Sequence, residues 1–297
     1  MPLLGATDFT DDLRLAHLLA DDADSLTLAR FKAMDLHVMT KPDLTPVTDA
    51  DRAVEEGLRR TLSRVRSRDA VTGEEFGEDD GDAERRWIVD PIDGTKNFVR
   101  GVPVWATLIA LAVDGEVVCG VVSAPQLARR WWAAKGNGAW TGRSLVRATR
   151  IQTSDVRRME DASFSYSSLD GWDERGRLDD LVSLTRRCWR SRAYGDFWSY
   201  MLLAEGAVDL AAEPELALYD MAALDVIVRE AGGRFTSLAG VDGPWGTSAL
   251  ASNGHLHDVA LSFLGSAPAD HGDPDTRAFG PGSVHLLSDR RRARDEE

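Results

Sequence analysis

Residues 87–98 read Trp87-Ile88-Val89-Asp90-Pro91-Ile92-Asp93-Gly94-Thr95-Lys96-Asn97-Phe98, and their reading decides the fold. Trp-Ile-Val is a short apolar run suited to a buried strand that ends at Asp90. Pro91 fixes one backbone angle, and Asp93 follows three residues after Asp90. Two carboxylates therefore leave a sheet edge together, in a turn that opens into Gly94-Thr95. Glycine lets another group approach the backbone closely. A helix beginning at Thr95 would turn its free N–H groups outward as an anion site. Carboxylates beside an anion site make sense only if cations bridge them, and oxygen ligands that leave room for water and phosphate suit Mg²⁺. Spacing alone also allows a plain Asx turn followed by a helix cap.

Working outward, Thr48 with Asp51 three residues on forms a capping-box pattern and starts a helix near Asp49. Ala50, Ala53, Val54, Gly57, Leu58, Thr61, Leu62 and Val65 give it an apolar stripe. Residues 11–34 predict an earlier amphipathic helix through Leu15, Leu18, Leu19, Ala23 and Leu26. Downstream, Thr107–Val113 and Glu116–Val122 flank Asp114-Gly115, a strong hairpin signal. Arg129–Ala134 and Ala139–Thr141 flank a second turn at residues 135–138. The first half thus reads as two helices on an antiparallel sheet. The second half alternates strands near 162–166, 208–212, 235–238 and 249–252 with helices near 179–187, 197–205, 219–231 and 257–264, an α/β layer. The expected division is residues 1–150, residues 151–266, and a disordered tail over 267–297, where periodicity stops.

Composition narrows the function. Lys and Arg total 35 against 49 Asp and Glu, a net charge of −14. That balance disfavours a general nucleic-acid binder, yet permits a small phosphorylated substrate where metal ions reverse the local field. Hydrophobic residues at 43% exclude a wholly disordered chain. The two cysteines, Cys119 and Cys188, read as buried free thiols. The N-terminus lacks a basic region followed by an apolar stretch, and the longest apolar run, 105–113, falls far short of the about 20 residues of a spanning helix. A cytoplasmic protein with no membrane partner is expected. Ser163, Ser165, Ser167 and Ser168 have no nearby His with an acid partner and read as strand and loop residues.

The 87–98 stretch, Gly73-Glu74-Glu75 before it and Tyr219-Asp220 leading into an apolar helix that ends in Gly232-Gly233 stand in a familiar order. Together they resemble the inositol-monophosphatase family of Mg²⁺-dependent phosphatases, and the upstream segment 43–49 is also similar. The resemblance spans about residues 10–265. It implies a layered α-β-α-β-α sandwich, an α+β fold with the site between its halves, and a homodimer. Carried over residue by residue, it implies that Glu74, Asp90 and the Ile92 carbonyl hold one Mg²⁺. Asp90, Asp93 and Asp220 would hold a second, and Glu74 with waters a looser third. Gly94 and Thr95 would bind phosphate, while Asp49 and Thr95, with Glu74, would orient and deprotonate the attacking water. Tyr219 departs from the family, where many members place Trp.

The alcohol side of the substrate is expected to meet Arg192-Ala-Tyr-Gly-Asp196 and Ala-Ala-Glu213-Pro-Glu215. Two acids, Asp196 and Glu213, suit a cationic alcohol, because each ammonium or imidazolium gains a charge-assisted hydrogen bond. Asp196 could equally cap the helix after Gly195, and Glu213 could be a surface acid. Asn97 and Arg192 could reach substrate or support the site, and Lys41 could meet phosphate or stay solvated. These segments are similar to the histidinol-phosphatase branch of the family. The resemblance therefore implies hydrolysis of L-histidinol phosphate, a small phosphate monoester, in histidine biosynthesis. The alternative is a broad inositol or sugar monophosphatase.

Overall fold

The structure, a computed structural model, describes residues 9–41, 45–79 and 84–265. The tail expected over 267–297 and Asp43 lie outside the described residues. Helices α1 (Thr10–Arg30) and α2 (Asp49–Val65) are joined through a small antiparallel hairpin of β1 (Val38–Thr40) and β2 (Pro46–Thr48). Next come β3 (Ala70–Gly73), β4 (Gly77–Glu78), β5 (Arg85–Asp93), helix α3 (Thr95–Arg100), β6 (Ala106–Val113), β7 (Glu116–Ala124), β8 (Arg129–Ala134), β9 (Ala139–Ser144) and β10 (Arg147–Ile151). These eight strands form one sheet in the order β10-β9-β8-β7-β6-β5-β3-β4.

A second sheet is built from β11 (Ser163–Ser165), β12 (Arg190–Arg192), β13 (Leu210–Glu213), β14 (Arg234–Thr236) and β15 (Ala249–Ser252), in the order β12-β11-β13-β15-β14. Five helices accompany it: α4 (Asp170–Glu174), α5 (Leu178–Thr185), α6 (Asp196–Ala204), α7 (Leu218–Glu230) and α8 (His257–Leu264).

Strand alternation sends successive side chains to opposite faces, and three cores stack as a result. Trp87, Val89, Ile109, Leu111, Val121 and Trp132 face α1 and α2. The intervening Ile88, Leu108, Ala110, Val122 and Trp131 face α6 and α7, which also pack on Ala211, Phe235 and Ala251 of the second sheet. Phe164, Leu210, Ala212 and Leu250 on that sheet's outer face pack against α4, α5 and α8. The layers are α-β-α-β-α, as expected.

The differences are local. Helix α1 buries Ala16, Leu19, Ala20 and Ala23, whereas Leu18 and Leu26 point outward. Helix α2 buries Asp51 and Glu55 in its stripe instead of Ala53 and Val65. The first sheet is not purely antiparallel, because β3 runs parallel to β5 with Gly73 opposite Val89. That pairing matters: parallel neighbours end on one edge, so Glu74 and Asp90 emerge side by side. Cys119 is buried and Cys188 half-buried, both as free thiols.

Candidate active site

Asp90 and Asp93 are three residues apart, a spacing that would send them to opposite faces of a regular strand. The register resolves this. Asp90 lies opposite Leu108 and Asp93 opposite Ala106, so Pro91-Ile92 forms a bulge that re-aims the strand. The bulge is pinned by the Thr107 hydroxyl, which donates to the Pro91 carbonyl at 2.8 Å. Asp90 Oδ1 also accepts the Ile92 N–H at 3.0 Å, so the Asx turn coexists with the clustered carboxylates. Asp220, in the first turn of α7, arrives from the middle layer; its Oδ2 accepts the Ala217 N–H at 2.7 Å. Carboxylate oxygens of Asp90, Asp93 and Asp220 lie within 4.8 Å of one another, close enough to share a metal ion.

A second cluster of the same size joins Asp51, Glu74 and Glu75. The ammonium of Lys41, on the segment after β1, lies 2.7 Å from Glu74 Oε1 and 2.6 Å from Glu75 Oε1. Burial alone would lower the Lys41 pKa, but these two carboxylates push it up. Glu75 belongs to the Gly73-Glu74-Glu75 motif read from the sequence but was given no role of its own there.

Thr95 sits between the clusters. Its hydroxyl donates to the Ile92 carbonyl at 2.9 Å and lies 3.5 Å from Asp51 Oδ1. Asp49 was expected to act with Thr95 on the attacking water, but the carboxylate the structure brings to Thr95 is that of Asp51. Asp49 accepts from Arg30 at 2.6 Å, whereas Asp51, two residues on, is fully buried. One carboxylate does two jobs here. Asp51 Oδ2 closes the capping box on the Thr48 N–H and hydroxyl at 2.8 and 2.6 Å, which leaves Oδ1 for the site. Gly94 has φ +84°, and a Cβ there would come 3.1 Å from the Val104 carbonyl and 3.2 Å from Asp196 Oδ2. Only glycine fits this corner without strain.

The acids expected to meet the alcohol, Asp196 and Glu213, lie beside this floor. Asp93 Oδ2 accepts the Phe197 N–H at 2.6 Å, which fixes the start of α6 to the first sheet's edge. Asp196 does not cap α6; Gly195 holds the cap position. Asp196 adopts φ +49°, outside the common regions for a side-chain-bearing residue. Its Oδ2 accepts Asn97 Nδ2 at 3.0 Å, and Asn97 also donates to the Val104 carbonyl at 2.9 Å. Ser167 donates to Glu213 Oε1 at 2.6 Å and accepts the Asp196 N–H at 3.0 Å. Ser167 thus joins both acids, a role its sequence context did not signal. Glu213 is buried, not a surface acid. Arg192 is exposed on the edge strand β12, donates to the Ser191 carbonyl at 2.7 Å, and is not held among these carboxylates.

The carboxylates of the cluster are strongly perturbed. Burial, and then the charge of Glu74, raise Asp90 well above the usual carboxylate range; burial and Asp196 do the same for Asp93. Burial and Glu74 push Asp220 up to about 7. Burial pushes Glu213 to about 8 and Glu75 to about 7, and burial lifts Asp51 and Asp196 to about 6. Buried like charges of this density need bound cations to remain ionised. An all-oxygen donor set fits a hard divalent cation.

The linkage has a definite sign. An acid raised in the folded state binds its proton more tightly there than in the unfolded chain. Its stabilisation is full below about pH 4 and fades as pH rises through the folded value. Metal-free protein is therefore expected to lose thermal stability as pH climbs towards 8, through Asp220 near 7 and Glu213 near 8. Added Mg²⁺ should raise the melting midpoint more at pH 8 than at pH 5.5, because protons compete for the same oxygens. Thermal denaturation with and without Mg²⁺ checks this; an equal rise at both pH values would contradict it.

The chain is 62% identical over 261 residues to a histidinol-phosphatase of Streptomyces coelicolor, covering 86% of this chain and 98% of that protein. It is 61% identical over 254 residues to a histidinol-phosphatase of Mycobacterium tuberculosis, with the same coverage. Among solved structures, an inositol monophosphatase from Zymomonas mobilis superposes with a TM-score of 0.77 at 33% identity, over 87% of this chain and 99% of that one. The model of the inositol monophosphatase family matches residues 13–266. With acids from α2, β3, β5 and α7 gathered on one sheet edge, the chain belongs to the inositol monophosphatase family.

Proposed function

We propose that this protein is a Mg²⁺-dependent phosphatase that hydrolyses L-histidinol phosphate to L-histidinol and phosphate. The observation that carries the substrate is the pair Asp196 and Glu213, part-buried and buried, joined through Ser167, with the residue after Asp196 held to Asp93 through its backbone N–H. Histidinol presents an amine and an imidazole, each able to form a charge-assisted hydrogen bond to a carboxylate. A neutral polyol would gain less, because it brings no positive charge to favour the ionised form of either carboxylate. Similarity to two histidinol-phosphatases supports the same reading.

Asp90, Asp93 and Asp220 would hold one Mg²⁺. Glu74, Asp90 and the Ile92 carbonyl would hold another, with Asp51 and Glu75 bordering a looser third position. Bound Mg²⁺ supplies Lewis-acid stabilisation of phosphoryl charge and a lowered water pKa. The chain does the rest. The N–H groups of Gly94 and Thr95, at the start of α3, orient the phosphate. The Thr95 hydroxyl aligns the attacking water, and Asp51, raised towards neutrality by burial, takes its proton with Glu74 nearby. Asp51 thus fills the role first assigned to Asp49. The phosphoryl transition state is loose, so positioning and charge stabilisation suffice without a covalent intermediate.

Among the described residues no helix is long and apolar enough to cross a membrane. Location in the cytoplasm and assembly as a homodimer complete the proposal, both on the family's habit. The test is a substrate panel with purified protein and Mg²⁺. Histidinol phosphate should be turned over with kcat/KM at least tenfold above inositol 1-phosphate or glycerol 2-phosphate, about 1.4 kcal/mol of discrimination. Preference for inositol phosphate would replace this reading with a broad sugar-phosphate one.

A further inference from the structure

Helix α2 carries a second fully buried acid one turn beyond Asp51. Glu55 is not one of the clustered ligating oxygens; it grips backbone. Its Oε2 accepts the Glu75 N–H at 2.7 Å, and its Oε1 accepts the Phe76 N–H at 3.2 Å and Arg59 Nε at 2.8 Å. Arg59 reaches on to Asp79 Oδ1 at 2.6 Å and to the Gly77 carbonyl. The turn that carries Glu74 therefore hangs from a carboxylate on α2, and Arg59 braces that carboxylate from the outer side. Gly73 belongs to the same device. A Cβ at residue 73 would come within 2.1 Å of Glu55 Oε1, so the carboxylate occupies the space a side chain would need.

An apolar residue at 55 would fill the same volume but leave the Glu75 and Phe76 N–H groups without acceptors and let the turn relax. We propose that Glu55 is a positioning residue: it sets the direction of Glu74, and with it the affinity for the divalent cation, by holding the backbone N–H groups of Glu75 and Phe76. This inference rests on the metal-dependent reading of the Glu74 cluster.

The test titrates Mg²⁺ calorimetrically into the full-length protein, with melting midpoints recorded in parallel. Glu55→Gln keeps the shape but turns an amide NH₂ towards groups that are themselves donors. Its Mg²⁺ affinity should fall about ten- to hundredfold, the usual cost of removing a group that orients a ligand. Turnover at limiting Mg²⁺ should fall with it and recover at high Mg²⁺, while KM for the phosphate ester stays near wild type. Leu62→Ala, a core truncation two turns further along α2, should lower the midpoint without moving Mg²⁺ affinity. If Glu55→Gln does not fold, Arg59→Gln is measured in its place and should weaken Mg²⁺ in the same direction. Wild-type Mg²⁺ affinity in the tested variant overturns the positioning role, and so does an equal loss in Leu62→Ala. Absence of Mg²⁺ uptake by the wild type instead overturns the metal-dependent reading on which the inference stands.

Discussion

Asp220→Asn is expected to lose Mg²⁺-dependent turnover by roughly a thousandfold, because a cation's contribution of several kcal/mol to the transition state is lost at about 1.4 kcal/mol per decade. The fold should survive, for reasons visible in the hydrogen bonds. Asp220 Oδ2 accepts the Ala217 N–H, and an asparagine carbonyl can do the same. At pH 8 the metal-free variant should melt at or above the wild-type midpoint, since one of three mutually repelling buried acids is gone. Mg²⁺ should then raise its midpoint much less than it raises that of the wild type. A merely structural role for Asp220 predicts the opposite pair of results, a lowered metal-free midpoint and near-normal turnover in the folded fraction.

The fold was legible wherever periodicity met turn chemistry. Asp114-Gly115 between apolar runs announced the β6–β7 hairpin, and residues 249–252 and 257–264 carried their strand and helix with the observed ends. The short elements gave no such signal. Strands β1, β3, β4 and β12 are two to four residues long, too short for an alternation to be read. The parallel run of β3 beside β5 is set by the crossover path between them, which no local pattern encodes. The face of α1 was placed slightly off because large apolar residues were taken as the buried ones, and that of α2 because its buried acids, Asp51 and Glu55, were read as polar positions. Ala16, Ala20 and Ala23 allow α1 to lie close to the sheet, while Leu18 and Leu26 remain at the margin.

The site was legible as motifs and less so as geometry. Asp90, Asp93, Glu74 and Asp220 announced themselves by their company, yet the bulge that brings Asp90 and Asp93 together appears only in the register with β6. Asp51 was already visible as the third residue of a capping box, and that assignment hid it. A cap uses one carboxylate oxygen and leaves the other free. The stronger signal was its burial pattern: acids at 51 and 55 within a stripe completed by 50, 54, 58 and 62 stand where a helix meets its core, and charged residues there need a specific partner. Ser167 could not have been found from sequence, because its two partners lie 29 and 46 residues away.

Asp196→Asn separates recognition of a cation from support of the site. The backbone tolerates the change, since asparagine, like aspartate, accepts the positive φ that would strain alanine. The Asn97 hydrogen bond can be kept by the new side-chain carbonyl. What disappears is the negative charge proposed to face the alcohol portion of the substrate. A hydrogen bond to a charged group is worth about 1.5–3 kcal/mol, so kcat/KM for histidinol phosphate should fall roughly ten- to hundredfold. For glycerol 2-phosphate it should change by less than about threefold, the scale of a surface-level perturbation of about 0.5 kcal/mol. A second effect has the opposite sign. Asp196 is the charged neighbour that most raises Asp93. Its neutralisation should ease Asp93 ionisation and shift the acid limb of the glycerol 2-phosphate profile to lower pH. Purified variant assayed on both esters between pH 5.5 and 9 reads the two effects together. Equal losses on the cationic and neutral substrates would assign Asp196 to holding Asn97 and the start of α6, and the specificity would then have to reside in Glu213 alone.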